Sequence, residues 1–349
     1  MGNDYFLRVT SQTPTRFWIN NPTRKEADLA LEAGASGCTN NPSYSWKMLQ
    51  DPQEKEYALK LLNEAIIETS DDDEAAAAFQ RKLVKPIQEK FLPIWKSTGG
   101  RDGHVSIQGD PIREDDPQVV INEARKNLLL GPNICIKIPT TVSGLKAMET
   151  LIAEDVSINA TEIMGISQGI ALCETYSDIS KQTKKRPMLY LSHIAGIYDD
   201  HLNNCVQKEN INISRDVLNQ AGLAVARKMY QIIQERGYET KMIGGGARAP
   251  RHFTEMVGGD LVVTINWKGT ADLLLQQDMD VVFRFFNPVA QHVIDELVEK
   301  LPDFRRGYYS TGLGVEEFEN FGPVVLFRNS FTNSWNNVLG LINKMRSRH

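Results

Sequence analysis

Lys137 stands near the end of a short, otherwise apolar run, Ile134-Cys135-Ile136-Lys137-Ile138, which Pro139 closes. A run of branched apolar residues of this length reads as a buried strand, and the proline ends it. Alternation places Ile134, Ile136 and Ile138 on one face, with Cys135 and Lys137 on the other. Burial disfavours the ammonium and lowers its pKa. A lysine that is neutral at working pH attacks a carbonyl and forms a Schiff base. The alternative is a lysine that snorkels to the strand end or sits in a structural ion pair.

Polar residues also close the other strand-like runs: Asn20, Thr39 with Asn41, Gln108, Asn159 with Thr161, Ser192, Arg248 and Asn266. Schiff-base chemistry needs a neutral amine, an acid/base for the carbinolamine, hydrogen bonds to hydroxyls, and a hold on the far end of the substrate. Lys137 supplies the amine. Thr161 and Gln108 suit a bridging water, and Thr39, Asn41, Asn159 and Ser192 suit sugar hydroxyls. Arg248, behind Gly244-Gly245-Gly246, suits an anionic tail, aided by glycine amides. Against this, Thr39, Asn41 and Asn266 also suit loop backbone groups, and the three glycines also suit a tight strand-to-helix turn.

These positions need elements to hold them. Strands are predicted at Arg16–Ile19, Ser36–Thr39, His104–Gln108, Ile134–Ile138, Val156–Ala160, Met188–Ser192, Lys241–Ile243 and Leu261–Ile265. Helical patterns lie between them. Thr23 with Glu26 forms a capping box, and the helix it opens ends near Gly34. Helices cover about Tyr44 to Trp95, with a break at the acidic Ser70–Glu74, and then Pro117–Leu129, Ser143–Ala153 and Ile163–Ser180. Asp199–Asn212 is polar and reads as a loop. Ser214 caps a long helix striped by Leu218, Ala221, Val225, Met229 and Ile232, and Gly237 ends it. A short helix is expected near Pro250–Met256. Beyond the eighth strand, helix is expected from Thr270 to about Leu301 and from Asn333 to Arg346, joined by a surface connection at Tyr308–Phe321. Eight short strands alternating with helices predict a (β/α)8 TIM barrel with additional C-terminal helices. Asn20-Asn21-Pro22 after the first strand is not the glycine fingerprint of a doubly wound sheet. Residues 1–349 are read as a single barrel domain, with an N-terminal extension at 1–15 and a C-terminal helical extension at 285–349.

The bulk properties agree. The 349 residues are 41% hydrophobic with a net charge of −5, so there is core material and no general basic field for nucleic acid. No apolar run is long enough to span a bilayer, and the N-terminus lacks a signal-peptide core. Cys38, Cys135, Cys173 and Cys205 have no Cys-x-x-Cys spacing. Two fall in buried strands, the pattern of reduced thiols in a cytoplasmic protein.

In order along the chain, these motifs resemble the transaldolase family of class I aldolases. Thr39-Asn40-Asn41-Pro42-Ser43 is similar to its Thr-Thr-Asn-Pro-Ser signature, Ile136-Lys137-Ile138-Pro139 to its lysine motif, Ile158-Asn159-Ala160-Thr161 to its Asn-x-Thr segment, and Gly244–Arg248 to its phosphate-binding turn. The resemblance runs from about Phe17 to Asn266. It implies a (β/α)8 barrel, Lys137 as the Schiff-base lysine with no further cofactor, Thr161 at the catalytic water, and Asn41 and Asn159 against substrate. The implied reaction moves a dihydroxyacetone unit between sugars or sugar phosphates, as in the pentose phosphate pathway.

Four departures stand out. Asn20 replaces an aspartate that shuttles a proton during carbon–carbon cleavage, and an amide takes up no proton at neutral pH. Gln108 replaces a glutamate, as in the fructose-6-phosphate aldolase branch. His193-Ile194-Ala195-Gly196-Ile197 replaces Pro-Phe-Val-Gly-Arg, so Ile197 removes a phosphate-binding arginine, for which Arg251 or Lys268 are substitutes. Gly246 replaces a serine. The expected site is thus more neutral and less phosphate-directed, with His193 available as a replacement proton shuttle. Three competing readings follow: a fructose-6-phosphate-aldolase-like lyase, a sugar-binding or regulatory barrel without aldol chemistry, and a metal-dependent aldolase using His193, Asp199, Asp200 and His201. The C-terminal helices are expected to cover the barrel mouth or to form a homodimer interface.

Overall fold

The computed structural model describes residues 4–277 and 279–347. Its strands are β1 (Arg16–Asn20), β2 (Gly37–Asn40), β3 (Val105–Gln108), β4 (Ile134–Pro139), β5 (Ile158–Ile163), β6 (Leu189–His193), β7 (Lys241–Gly244) and β8 (Val262–Ile265). They pair in parallel in chain order, and β8 returns to β1 to close the barrel. Helix α1 (Tyr5–Gln12) precedes β1, and α2 (Arg24–Glu32) follows it. Helices α3 (Ser43–Gln50), α4 (Lys55–Glu68) and α5 (Asp72–Ser97) fill the β2–β3 connection. Helices α6 (Pro117–Leu128), α7 (Val142–Ala153) and α8 (Ile166–Thr183) follow β3, β4 and β5. Then come α9 (Ala195–Glu209), α10 (Arg215–Leu218) and α11 (Ala221–Arg236) after β6, and α12 (Arg251–Thr254) after β7. Beyond β8 lie α13 (Asp272–Gln276), α14 (Gln291–Lys300), α15 (Pro302–Tyr308) and α16 (Gly322–Arg346). This is the expected (β/α)8 barrel with C-terminal helices.

Local chemistry explains the boundaries. The capping box at α2 is present: Glu26 N–H donates to Thr23 Oγ1, and Thr23 N–H donates to Glu26 Oε2. Gly237 ends α11 in the left-handed region, at φ 63°. Inside the barrel, alternation sorts β4 as predicted. Ile134, Ile136 and Ile138 join the layer between strands and helices, while Cys135 packs with Trp18, Tyr190, Ile243 and Val262 in the barrel floor. The Trp18 indole lies over Gly37, where a Cβ would approach the ring to 2.3 Å. His104 Nδ1 lies 3.0 Å from Tyr190 Oη beside it, and burial lowers the imidazole pKa to about 4.

Several elements differ from expectation. Asp199–Asn212 is mostly helix α9, not a loop; its polar residues lie on an amphipathic surface whose apolar side buries Ile197, Tyr198 and Leu202. Ser214 caps only the short α10, and the helix restarts at Ala221. The stretch 270–301 is helical only over Asp272–Gln276 and Gln291–Lys300 among the described residues apart from one turn at Trp267–Ala271, and Asp278 lies outside them. Helix α16 starts at Gly322, well before Asn333, because Val324, Phe327 and Phe331 continue its buried stripe. The N-terminal segment contains α1, which buries Tyr5, Phe6 and Val9, with Phe6 stacked on Phe17; Met1–Asn3 lie outside the described residues. Among the described residues, no helix is long and apolar enough to cross a membrane. Strand β5 reaches Ile163 instead of ending at Ala160, and this difference shapes the site.

Candidate active site

Lys137 lies on β4 opposite Gln108 of β3 and Asn159 of β5. It is 6% exposed. Burial lowers its amine pKa to about 8, against the opposing pull of Glu162 and Glu114. The rings of Phe327 and Phe331, from α16, lie 6.0 and 5.7 Å from its Nζ. The C-terminal helix therefore roofs the lysine, in line with the expectation that the C-terminal helices cover the barrel mouth.

Two neutral hydrogen-bond chains line the strand ends, one beside the lysine and one across the barrel on β1, β2 and β8. In one, Ser192 Oγ donates to Asn159 Oδ1 at 2.7 Å, and Asn159 Nδ2 donates to Ser106 Oγ at 3.1 Å. In the other, Thr39 Oγ1 donates to Asn20 Oδ1 at 2.8 Å and lies 2.8 Å from Thr264 Oγ1. Since the Thr39 proton goes to Asn20, Thr264 is the donor to Thr39. Asn20 Nδ2 donates to Asn266 Oδ1 at 2.9 Å. The position that carries an aspartate in the resembling family is here a link in an uncharged chain.

The acidic groups beside the lysine are ones that the sequence reading did not single out. Gln108 Nε2 donates to Glu162 Oε1 at 3.2 Å and reaches Glu114 Oε2 at 3.5 Å. Both carboxyls are deeply buried. Burial is the largest influence on each: it raises the Glu162 pKa to about 7 and lifts Glu114 well above the carboxylate range. Glu162 comes to this place because β5 changes register between Ala160 and Ile163, with Glu162 at φ 60°, in the left-handed region. The β3–α6 loop that bears Glu114 is pinned by Asp110. Its N–H donates to Glu123 Oε2 at 2.8 Å, and its carboxylate accepts from Ile112 N–H and Arg113 Nε. A readable signal existed: Glu162 directly precedes Ile163-Met164 at the end of a strand-like run, where a buried charged residue without a partner is costly.

Not every predicted residue joins this cluster. His193 follows Ser192 and so faces out of the barrel. Its ring nitrogens lie 3.0 Å from the carbonyl oxygens of Ile163 and Gly222. Burial lowers its pKa, while both carbonyls favour the protonated ring. Asn41 is clasped to Asn21, with Oδ1 also accepting from Ser43 N–H, as a loop-forming residue does. Arg248 is exposed and donates through Nε to Asp200 at 2.7 Å. Arg251 is held by Asp199 and the Asn219 carbonyl, and Lys268 is exposed. Ile197 is buried, and Gly246 stands at φ 68° against it, a conformation that a serine adopts only with strain. The four residues of the metal-dependent reading separate: Asp199 binds Arg251 and His252, Asp200 binds Arg248, and His201 binds Asp303 at 2.6 Å. Among the described residues, His201, Cys205 and Asp303 bring ligand atoms within 4.8 Å of one another, and Arg306 also contacts Asp303.

The sequence is similar to known proteins. The family described as transaldolase/fructose-6-phosphate aldolase matches residues 17–302. Transaldolase 1 of Streptomyces avermitilis is 26% identical over 243 residues, 66% of this chain and 64% of that protein. A transaldolase of Thermobifida fusca is 25% identical over 262 residues, covering 70% of each. One from Mycobacterium marinum is 28% identical over 243 residues, 66% of this chain and 64% of its own length. The chain thus spans somewhat under two thirds of the first of these relatives. With the family match extending from β1 into α15, the chain belongs to the transaldolase/fructose-6-phosphate aldolase family.

Proposed function

We propose that the chain is a Schiff-base enzyme of the class I aldolase type, in which Lys137 takes up a ketose and transfers or releases a dihydroxyacetone unit. The observation that carries this is the buried Lys137 amine, its pKa drawn down to about 8 inside a cage of amides, hydroxyls and carboxyls. Nζ attacks the ketose C2 carbonyl, and the carbinolamine loses water to give an iminium. The C3–C4 bond then breaks. Its electrons pass to the iminium, the C4 hydroxyl gives its proton to the carboxylate that the dehydration step leaves in the cage, and an aldehyde leaves. The enamine left on Lys137 either adds to an acceptor aldehyde or is protonated at C3 and hydrolysed. Asn159 and Ser192 are placed for the substrate hydroxyls, Thr39 and Asn20 for the opposite wall, and Thr161 and Gln108 for the water. This chemistry calls for no cofactor besides the lysine. Family membership supports sugars or sugar phosphates as substrates.

The neutral Asn20 chain and the engagement of Arg248 by Asp200 support a donor whose far end is not necessarily a phosphate. Borohydride trapping tests the reading. Protein is incubated with ketoses and ketose phosphates, reduced, and mapped by peptide mass spectrometry. An adduct on Lys137, absent from Lys137→Ala, is expected. Absence of any adduct in folded protein would leave a sugar-binding barrel.

A further inference from the structure

We propose that Glu162, seconded by Glu114, is the proton donor and acceptor for making and breaking the Lys137 Schiff base, acting through the water that Gln108 and Thr161 flank. This rests on the Schiff-base reading above and adds to it a group that the family resemblance assigns no role.

The geometry is specific. Glu162 and Gln108 stand on the strands either side of the one that bears Lys137, and their side chains bond across it at 3.2 Å. Gln108 has two amide hydrogens, and its contacts to Glu162 and Glu114 account for both. Its Oε1 is left over. So are Thr161 Oγ1, Glu162 Oε2 and Glu114 Oε1, all buried and without a hydrogen-bond partner among the described residues. Unpaired buried polar atoms of this kind hold a water molecule. The backbone conformation points the same way. A glutamate at φ 60° carries strain that a plain strand residue would avoid, and such strain persists where surrounding structure holds a side chain in place.

In the forward step, protonated Glu162 passes its proton through the water to the carbinolamine hydroxyl. The C–O bond breaks, water leaves, and the nitrogen lone pair closes the C=N bond. A carboxylate is left beside the new iminium, which balances its charge. In hydrolysis, the carboxylate takes a proton from the water that attacks the iminium carbon. The charged groups facing Glu162 are Lys137 from β4, Glu114 from the β3–α6 loop, itself influenced by Asp110, and Arg328 from α16. Lys137 and Arg328 favour the carboxylate; Glu114, when ionised, favours the acid.

The test uses the full chain, with dihydroxyacetone as the trapping probe. The initial rate of borohydride-trapped Lys137 adduct is followed against pH in wild type, Glu162→Gln, Glu162→Asp and Glu114→Gln, each shown by circular dichroism to be folded. Glu162→Gln is expected to trap about 10²-fold more slowly, with the limb reporting the lysine displaced to lower pH because a neighbouring negative charge is gone. Glu162→Asp recovers part of the rate, and Glu114→Gln shifts the limb less. Wild-type rate and profile in Glu162→Gln would overturn the proposal while leaving the Schiff-base reading intact. Failure of wild type to give any Lys137 adduct would remove both. Where Glu162→Gln does not fold, infrared absorption of protonated carboxyls decides. It is expected to persist to higher pH in Lys137→Met than in wild type, and identical titrations would overturn the proposal.

Discussion

Gln108 and Glu162 join hands over the strand that carries Lys137, the amide of one donating to the carboxyl of the other at 3.2 Å. In this chain the amide stands where the family resemblance expects a carboxylate, and the carboxylate stands on β5. The acid closest to this lysine's strand neighbour is therefore borne by β5.

Stability should record this arrangement as a function of pH. Glu162 has a folded-state pKa of about 7, raised above the unfolded value by burial. Between the two values the folded chain binds more protons than the unfolded one, so stability falls as pH rises through that window. Lys137 has a folded pKa of about 8, below its unfolded value, so stability rises again from about pH 8 toward 10.5. A melting-temperature series should therefore dip between about pH 7 and 8. In Glu162→Gln the acidic descent should be shallower, with Glu114 still contributing, and an unchanged descent would show that the Glu162 carboxyl ionises freely in the fold.

Removing the aromatic roof should make the lysine more basic. In Phe331→Ala two effects compete. A ring 5.7 Å from Nζ stabilises the ammonium weakly, at the edge of cation–π range, whereas exclusion of water is the leading influence on this amine. Hydration should win. The pH limb of Lys137 trapping should move upward, and hydrolytic release should gain on transfer to an acceptor aldehyde. The truncation should also cost about 3–5 kcal/mol of stability, measured by urea unfolding. A downward limb would mean that the ring's attraction outweighs hydration.

The neutral chain at β1 is open to direct substitution. Asn20→Ala strands Thr39 and Asn266 and should cost about 1–3 kcal/mol. Asn20→Asp should cost less, since Thr39 still donates and the Asn266 amide turns its Nδ2 toward the carboxylate. With an acid restored there, the ratio of carbon–carbon cleavage to trapped adduct should rise. An unchanged ratio would mean that another group already takes the C4 hydroxyl proton.

Arg248→Ala should lower stability by no more than about 1 kcal/mol, because the ion pair with Asp200 is solvent-exposed. It should also change half-saturation for phosphorylated and unphosphorylated ketoses to a similar degree. A selective loss of the phosphorylated donor would place the far end of the substrate at this turn.

How far these features are legible in the sequence depends on whether the decisive force is local. Seven strands were marked by apolar runs between turn residues, and β4 told even which face Lys137 takes. β5 was cut short because Glu162 is the residue type least expected in a buried strand, and only tertiary partners, Gln108 and the nearby Lys137, make it tolerable there. Helix α9 was hidden by its polar surface, and the first turns of α16 by Gly322-Pro323, which begin a helix as readily as they end one. For His193 and Arg248, strand-end position was visible but direction was not. One-residue alternation turned His193 outward, and an aspartate on α9 captured Arg248.

Helix α16 has a consequence for the order in which the molecule comes into being. Lys137 emerges during synthesis long before Phe327 and Phe331, and until they dock its amine lacks the cover of those two rings. On the proposed Schiff-base reading, the full reactivity of the amine therefore waits for α16 to settle, and a chain clipped before that helix would be expected to react more slowly with free carbonyls.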